Sequence, residues 1–234
     1  MSKSSIHSQV CRLDETLQPK LDILRVITKQ LALHSGFLEA TLNNPNQEKI
    51  QGSFAGHIVD AQVRASAHVC IMAICRFWDK DMPLELVRSI APHVTDIEAI
   101  RKSAHPDWPH NALELGTLVQ EIQKSEKIAR DFLKSPEYGH IRTFRTEMLA
   151  HNDIGPSRDR KRLLGLSVQP VTKYTELVRA SVISFEVFDR LVSHWEFHIE
   201  DSMSLFQICK SYAKIYWDAL PVFHEVENVG LMDT

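Results

Sequence analysis

Arg145 and His151 stand six positions apart in the segment Phe144-Arg145-Thr146-Glu147-Met148-Leu149-Ala150-His151-Asn152-Asp153. A guanidinium is a fixed cation whose planar fork of donors fits phosphate oxygens. An imidazole titrates near neutrality and can take or give a proton. A cation that holds phosphate and a base that moves a proton are the two parts that metal-free cleavage of RNA requires. A basic run, Arg158-Asp159-Arg160-Lys161-Arg162, follows after a Gly155-Pro156 break. Between Arg142 and Arg162 six Arg or Lys face three acids, so this segment carries +3 in a chain of net -3.

The element that must position the pair is a helix from about Tyr138 to Asn152. On an ideal helix Arg145 and His151 are separated by roughly 120° around the axis and about 9 Å along it. They flank the apolar stripe Ile141, Phe144 and Met148, each about 60° to one side, and Asn152 lies near the centre of that face. The C-terminal half of the buried face therefore turns polar. Polar groups are costly to bury unless they are paired or line a cleft, so this pattern predicts a cleft at the helix end.

The rest of the chain reads as helices that build a core around this one. Leu17, Leu21, Leu24, Leu31 and Leu38 make a helical stripe from Asp14 to about Leu42, broken by Asn43-Asn44-Pro45-Asn46. A second helix is predicted from Gln47 to Trp78, with Ile50, Phe54, Ile58, Ala61, Ala65 and Met72 on one face. Gly52 and Gly56 on this helix are small enough to let a neighbour approach closely. Its last turns, Cys70 to Trp78, are apolar nearly all round and read as deep core. Pro83 suits the first turn of a short helix through Ala91. Thr95 or Asp96 caps another through Ser103. The stretch His105 to Asn111 is a loop. Helices follow from about Ala112 to Leu133, then the Arg-His helix, then Thr172 to Glu200 and Ser204 to Ala219. The expected fold class is all-α, an antiparallel long-helix bundle with short additional helices. It forms a single domain over 1–234, with flexible ends near 1–12 and 225–234.

Composition narrows the setting. Of the 234 residues 44% are hydrophobic and 24% charged, enough for a real core and ordinary for a globular protein. The net charge advertises no global field for nucleic acid, so any such contact needs a local patch. The four cysteines, Cys11, Cys70, Cys75 and Cys209, include no C-x-x-C pair. Cys70 and Cys75 read as buried free thiols, and a reduced, cytoplasmic setting is the simplest expectation. Residues Met1 to Gln9 are polar, without the apolar core of a secretory signal. The most apolar run, Val69 to Ile74, is too short to span a bilayer, so no membrane partner is expected.

The Arg-His segment resembles the arginine, four to six residues, histidine signature of the HEPN superfamily. Its Ala-His-Asn-Asp ending is similar to the branch related to AbiU-type abortive-infection proteins. Ile71-Met72-Ala73-Ile74-Cys75-Arg76-Phe77-Trp78-Asp79-Lys80-Asp81 resembles that branch's apolar helix ending in an Arg-aromatic-aromatic-Asp segment. Thr146 stands where the family often has Asn, Asp or His, and Glu147 where the branch often has lysine. A carboxylate at that position weakens the local attraction for phosphate. The resemblance implies a HEPN-like helical bundle, a homodimer with paired Arg-His motifs, and metal-independent endoribonuclease activity in phage defence or a toxin-antitoxin system. It implies RNA as substrate, a cognate antitoxin as partner and no cofactor. Arg145 and His151 would be catalytic. Asn152, Asp153, Asp79 and Arg76 would support the site. Arg142, Arg158, Arg160, Lys161 and Arg162 would bind RNA.

Other readings of the same residues stay open. Arg145 can pair with a core carboxylate such as Asp79, and His151 can sit at the helix end because the macrodipole favours it there. Arg76 and Asp79, three apart, can form a local ion pair. The basic run can be a solvated loop. The same scaffold can act as a helical RNA- or protein-binding module without catalysis. A metal-binding bundle would use His194 and His198, four apart, near Glu200 and Asp201, or His57, Asp60 and His68. No P-loop, dinucleotide glycine motif or nucleophile elbow is present.

Overall fold

The computed structural model describes residues 3–45, 54–97, 115–152, 170–195 and 201–219. Those residues are helical almost throughout, without strands. Seven helices are described: α1 (Lys3–Leu42), α2 (Phe54–Phe77), α3 (Met82–Ile90), α4 (Leu115–Leu133), α5 (Pro136–Asn152), α6 (Pro170–Trp195) and α7 (Ser202–Ala219). The fold is the expected all-α bundle. Because α1 starts at Lys3, residues 3–12, expected as a flexible end, are helical. The other expected flexible end, 225–234, lies outside the described residues, as does the loop at 105–111.

The leucine stripe of α1 is the spine of the core: Leu17, Leu21, Leu24, Leu31 and Leu38 are all buried. The helix stops where the asparagines offer their own hydrogen bonds. The Asn43 side chain and its N–H both donate to the Glu39 carbonyl, at 2.9 and 3.1 Å. Helix α7 packs closely along α1 at Gly36. A Cβ there would lie 3.0 Å from the Lys210 nitrogen and the Phe206 carbonyl oxygen, so glycine is what allows the approach. Lys210 also donates to Glu39 at 2.7 Å across the same seam. The buried hydroxyls of Thr28, Ser35, Thr41, Ser181 and Ser184 donate to carbonyls four residues back, so they are satisfied within their own helices.

Helix α2 corrects the predicted face. Ile58 is 59% exposed, and Ala61 and Ala65 also face solvent. The buried row is instead Val59, Val63, Ala67, Cys70, Ile74 and Phe77. Both rows step by three or four residues, and the alanines of the wrong row carry too little apolar area to decide the register. The inward row is the one that meets α1, α5 and α6. Cys70 and Cys75 are buried and unbridged, as expected. The window Gly56–Phe77 is by length and composition apolar enough to cross a bilayer, a longer stretch than Val69–Ile74. In this fold half of it is buried among neighbouring helices.

Trp78, the residue after α2, joins four helices. Its ring lies 4.9 Å from Phe132 on α4 and 5.2 Å from Phe77. Its indole N–H donates to Ser184 on α6 at 3.0 Å, and its carbonyl accepts from the Tyr138 hydroxyl on α5 at 3.4 Å. A fully buried aromatic contributes about 1.5–3 kcal/mol through area alone. The short helices hang from this point. Pro83 sits in the first turn of α3, as predicted. Residues 94–97 are already helical, so neither Thr95 nor Asp96 opens that segment as a cap. Pro136 opens α5, and Ser135 caps it by accepting from the Tyr138 N–H at 3.1 Å.

Candidate functional site

Beside Trp78 the helices part to form an open cleft of about 630 Å³. It is lined by Cys75, Trp78 and the turn Asp79-Lys80-Asp81, by Leu84 and Arg88 of α3, by Arg130, Leu133 and Lys134 at the end of α4, and by Tyr138, Arg142 and Arg145 of α5. These three residues recur at four- and three-residue steps and so share one face of α5. Asn152, seven further on, comes within about 20° of the Arg145 position, on the Arg145 side of the apolar stripe rather than at its expected place near the centre.

Arg145 is half-buried, and its Nε–H is shut off from solvent without a hydrogen-bond partner. No described carboxylate forms an ion pair with it. The expected alternative, a bond from Arg145 to Asp79, is therefore not made, although Asp79 lines the same cleft. Arg76 is exposed, does not line the cleft and forms no ion pair with Asp79. On α2 it points away from the row that enters the core, while Asp79 belongs to the turn beyond the helix end. Arg142 is exposed and lies over the Tyr138 ring at 5.9 Å.

The charges at the cleft act on Cys75 and Tyr138. Burial pushes the Cys75 thiol up, Arg145 and then Arg142 oppose that push, and Asp79 adds to it. Tyr138 is raised by burial first and by Cys75, with Arg142 opposing and Asp81 and Asp79 adding. Both patterns place Arg142 and the aspartates in one electrostatic neighbourhood.

Sequence reasoning missed Arg88, Arg130, Lys134 and Lys80. Arg88 and Lys80 stand on elements distant in the chain from the Arg-His helix, and only packing brings them to it; Arg130 and Lys134 end the helix just before it. Among the described residues six Lys or Arg line the cleft against two Asp, a formal +4. Glu126 organises part of this lining. It accepts from Arg130 Nε at 3.1 Å and Nη2 at 2.5 Å, and Arg88 Nε lies 3.6 Å away. Its carboxyl is held below the usual glutamate range, first by the Arg130 hydrogen bond. Lys80 and Asp81 both take left-handed backbone, φ 49° and 55°, conformations that cost non-glycine residues energy.

The side chains of His151 and Asn152 lie outside the described residues, although their backbone completes α5. Asp153 and the run Arg158, Arg160, Lys161 and Arg162 also lie outside them. Among the metal candidates, the His194 side chain, His198 and Glu200 lie outside the described residues. Asp60 pairs with Arg64 at 2.6 Å on an exposed face. Asp201 caps α7, accepting from the Ser204 N–H at 2.8 Å and from its hydroxyl. Among the described residues no group of three or more His, Cys, Asp or Glu is arranged to hold a metal.

A family model of the HEPN class, described as AbiU2, matches residues 20–203. The chain belongs to the AbiU2 family of HEPN proteins. The match runs from the leucine spine of α1 to the start of α7. It includes both segments that carried the resemblance, the Arg-aromatic-aromatic-Asp end of α2 and the Arg-His helix α5. In this AbiU2 chain the two segments meet in space: Trp78 and Asp79 lie in the same cleft as Arg145. No curated protein and no solved structure matches the chain.

Proposed function

We propose that this AbiU2-family chain is a metal-independent endoribonuclease of phage defence or a toxin-antitoxin system, with Arg145 and His151 as its catalytic pair. The observation that carries the reading is the Arg145 Nε–H, buried and unpartnered at the wall of a cleft lined by five further cations. A buried donor without a partner is costly, and a phosphate oxygen is the acceptor such a cleft would attract.

The chemistry uses no group beyond RNA and the chain. The 2′-hydroxyl oxygen attacks the neighbouring phosphorus, and His151 takes its proton. The bond from phosphorus to the 5′-oxygen breaks, and the protonated His151 returns its proton to that oxygen. Products are a 2′,3′-cyclic phosphate and a 5′-hydroxyl. Arg145 stabilises the charge that builds on the phosphate oxygens. Asn152 and Asp153 orient these groups, and Asp79 fixes the cleft wall beside Arg145. The working form is a homodimer with facing Arg-His motifs in the cytoplasm, held silent by a cognate antitoxin.

The test is incubation of wild type and His151→Ala with total RNA in EDTA, with analysis of product ends. Cyclic-phosphate ends made by wild type alone support the proposal. A folded, dimeric wild type that binds RNA and leaves it intact sinks it in favour of the binding-module reading. The cationic cleft by itself favours that second reading, because holding RNA needs no His151. A monomer would remove the paired-motif form.

A further inference from the structure

The sequence placed RNA contacts on Arg142 and on the basic run after α5. The fold adds cations that precede the catalytic helix in the chain. Arg88 of α3, Arg130 and Lys134 at the end of α4, Lys80 of the turn before α3, and Arg142 and Arg145 of α5 all line the cleft. All but Arg145 are exposed, so they can reach a ligand without first being desolvated. Arg88 and Arg130 come from different helices yet share the Glu126 carboxylate, at 3.6 and 2.5 Å. One carboxylate between two guanidinium groups leaves a net positive charge and holds both side chains in place. This lowers the rotamer entropy lost when a phosphate arrives.

The cleft has aromatic residues, but they do not face outwards. Trp78 is 1% exposed and Tyr138 7%, and both are committed to the core packing described above. Neither offers a free ring face on which a base could stack. What the cleft presents is charge at several points of its lining, and charge of this kind contacts phosphates without reading sequence.

We infer that the cleft bounded by Arg88, Arg130, Lys134, Lys80 and Arg142 is the track that carries the RNA sugar–phosphate backbone to Arg145. It recognises phosphate charge rather than base identity. The inference rests on the ribonuclease reading for its choice of RNA. Its mechanics depend only on the cleft. Glu126 is a positioning residue, acting through the two arginines it holds.

The experiment uses the full chain and a single-stranded 2′-O-methyl oligonucleotide of mixed sequence, which lacks the attacking hydroxyl and cannot be cleaved. Affinity is measured over a salt series for wild type, Lys134→Gln, the double variant Arg88→Gln with Lys134→Gln, and the control Lys214→Gln. Removing one cation that neutralises a phosphate should reduce the slope of log affinity against log salt by about 0.7. The double variant should show roughly twice that reduction. Lys134→Arg should restore binding, which a structural role for Lys134 would not explain. Oligo-U and oligo-A versions should bind alike and weaken alike. Lys214→Gln, at an exposed lysine of α7 that does not line the cleft, should keep the wild-type slope.

If wild type binds and these variants keep its affinity and slope, the track lies elsewhere, and the inference falls while the ribonuclease reading stands. If the variants bind with a reduced slope but wild type never cleaves natural RNA, the track holds and the ribonuclease reading falls. A wild type that does not bind the oligonucleotide overturns the inference outright. So does a strong preference for one base.

Discussion

The indole N–H of Trp78 donates to the Ser184 hydroxyl at 3.0 Å, in a core where both residues are essentially sealed from solvent. The Ser184 O–H in turn donates to the Ala180 carbonyl at 2.9 Å, so this hydroxyl serves as acceptor and donor at once. The indole bond fixes the end of α2 against α6, and the cleft beside Trp78 follows from it. Ser184→Ala leaves the indole N–H buried with nothing to receive it. We expect a loss of about 1–3 kcal/mol in unfolding free energy, read from urea denaturation midpoints. An unchanged midpoint would mean that Trp78 is held by packing alone.

Arg145 should not be replaceable by lysine. Its Nε–H is the buried, unpartnered donor, and an ammonium has neither that position nor the planar fork. Arg145→Lys is expected to lower cleavage on the order of 100-fold, as for removal of one donor to a developing oxyanion. It should fold normally by circular dichroism. Near-wild-type cleavage by the lysine variant would show that only the charge matters.

Lys80 combines a strained backbone with a place in the cleft. At φ 49° its side chain crowds its own backbone, and glycine would not. Lys80→Gly should therefore raise stability by about 1 kcal/mol. The same change removes one cation from the track, so it should also weaken RNA binding and flatten its salt dependence. A variant that is both more stable and unimpaired in binding would leave the strain without a functional counterpart.

Asp201 supplies a pH signature. Hydrogen bonds from the Ser204 hydroxyl, and then from its N–H, hold the carboxyl below the usual aspartate value of 3.8. A depressed folded-state pKa gives stability that is present above the unfolded value and is lost as pH falls through the folded one. Asp201→Ala should cost about 1 kcal/mol at pH 7 as a lost helix cap. Its gap from wild type should close as the pH drops below the ordinary aspartate range. Asp201→Asn keeps the cap and should lose that acid dependence. Thermal melts at neutral and acid pH separate the three.

Particular residues show how far the sequence reaches. The α1 stripe was legible because five leucines at helical spacing outweigh every alternative register, and all five are buried. The breaks at Asn43-Asn44 and Ser135-Pro136 were legible because those side chains bond their own backbone or lack an N–H. The α2 face was not, because valine, alanine and cysteine compete at similar spacing and only contact with α1, α5 and α6 selects one row. Thr95 and Asp96 looked like caps by residue type, but the helical turn at 94–97 already includes them.

By itself the sequence determined the helices, the family and the helix that carries Arg142 and Arg145. Hydrogen bonding, side-chain period and helix geometry act over a few residues, and a sequence displays them directly. Only the tertiary structure decided that Arg88, Arg130, Lys134 and Lys80 line one cleft with that helix, and that Asp79 shares the cleft with Arg145 without pairing to it. The spacing between charges on different helices depends on how those helices pack, and local sequence carries no record of it. The cationic cleft is a property of that packing around Trp78.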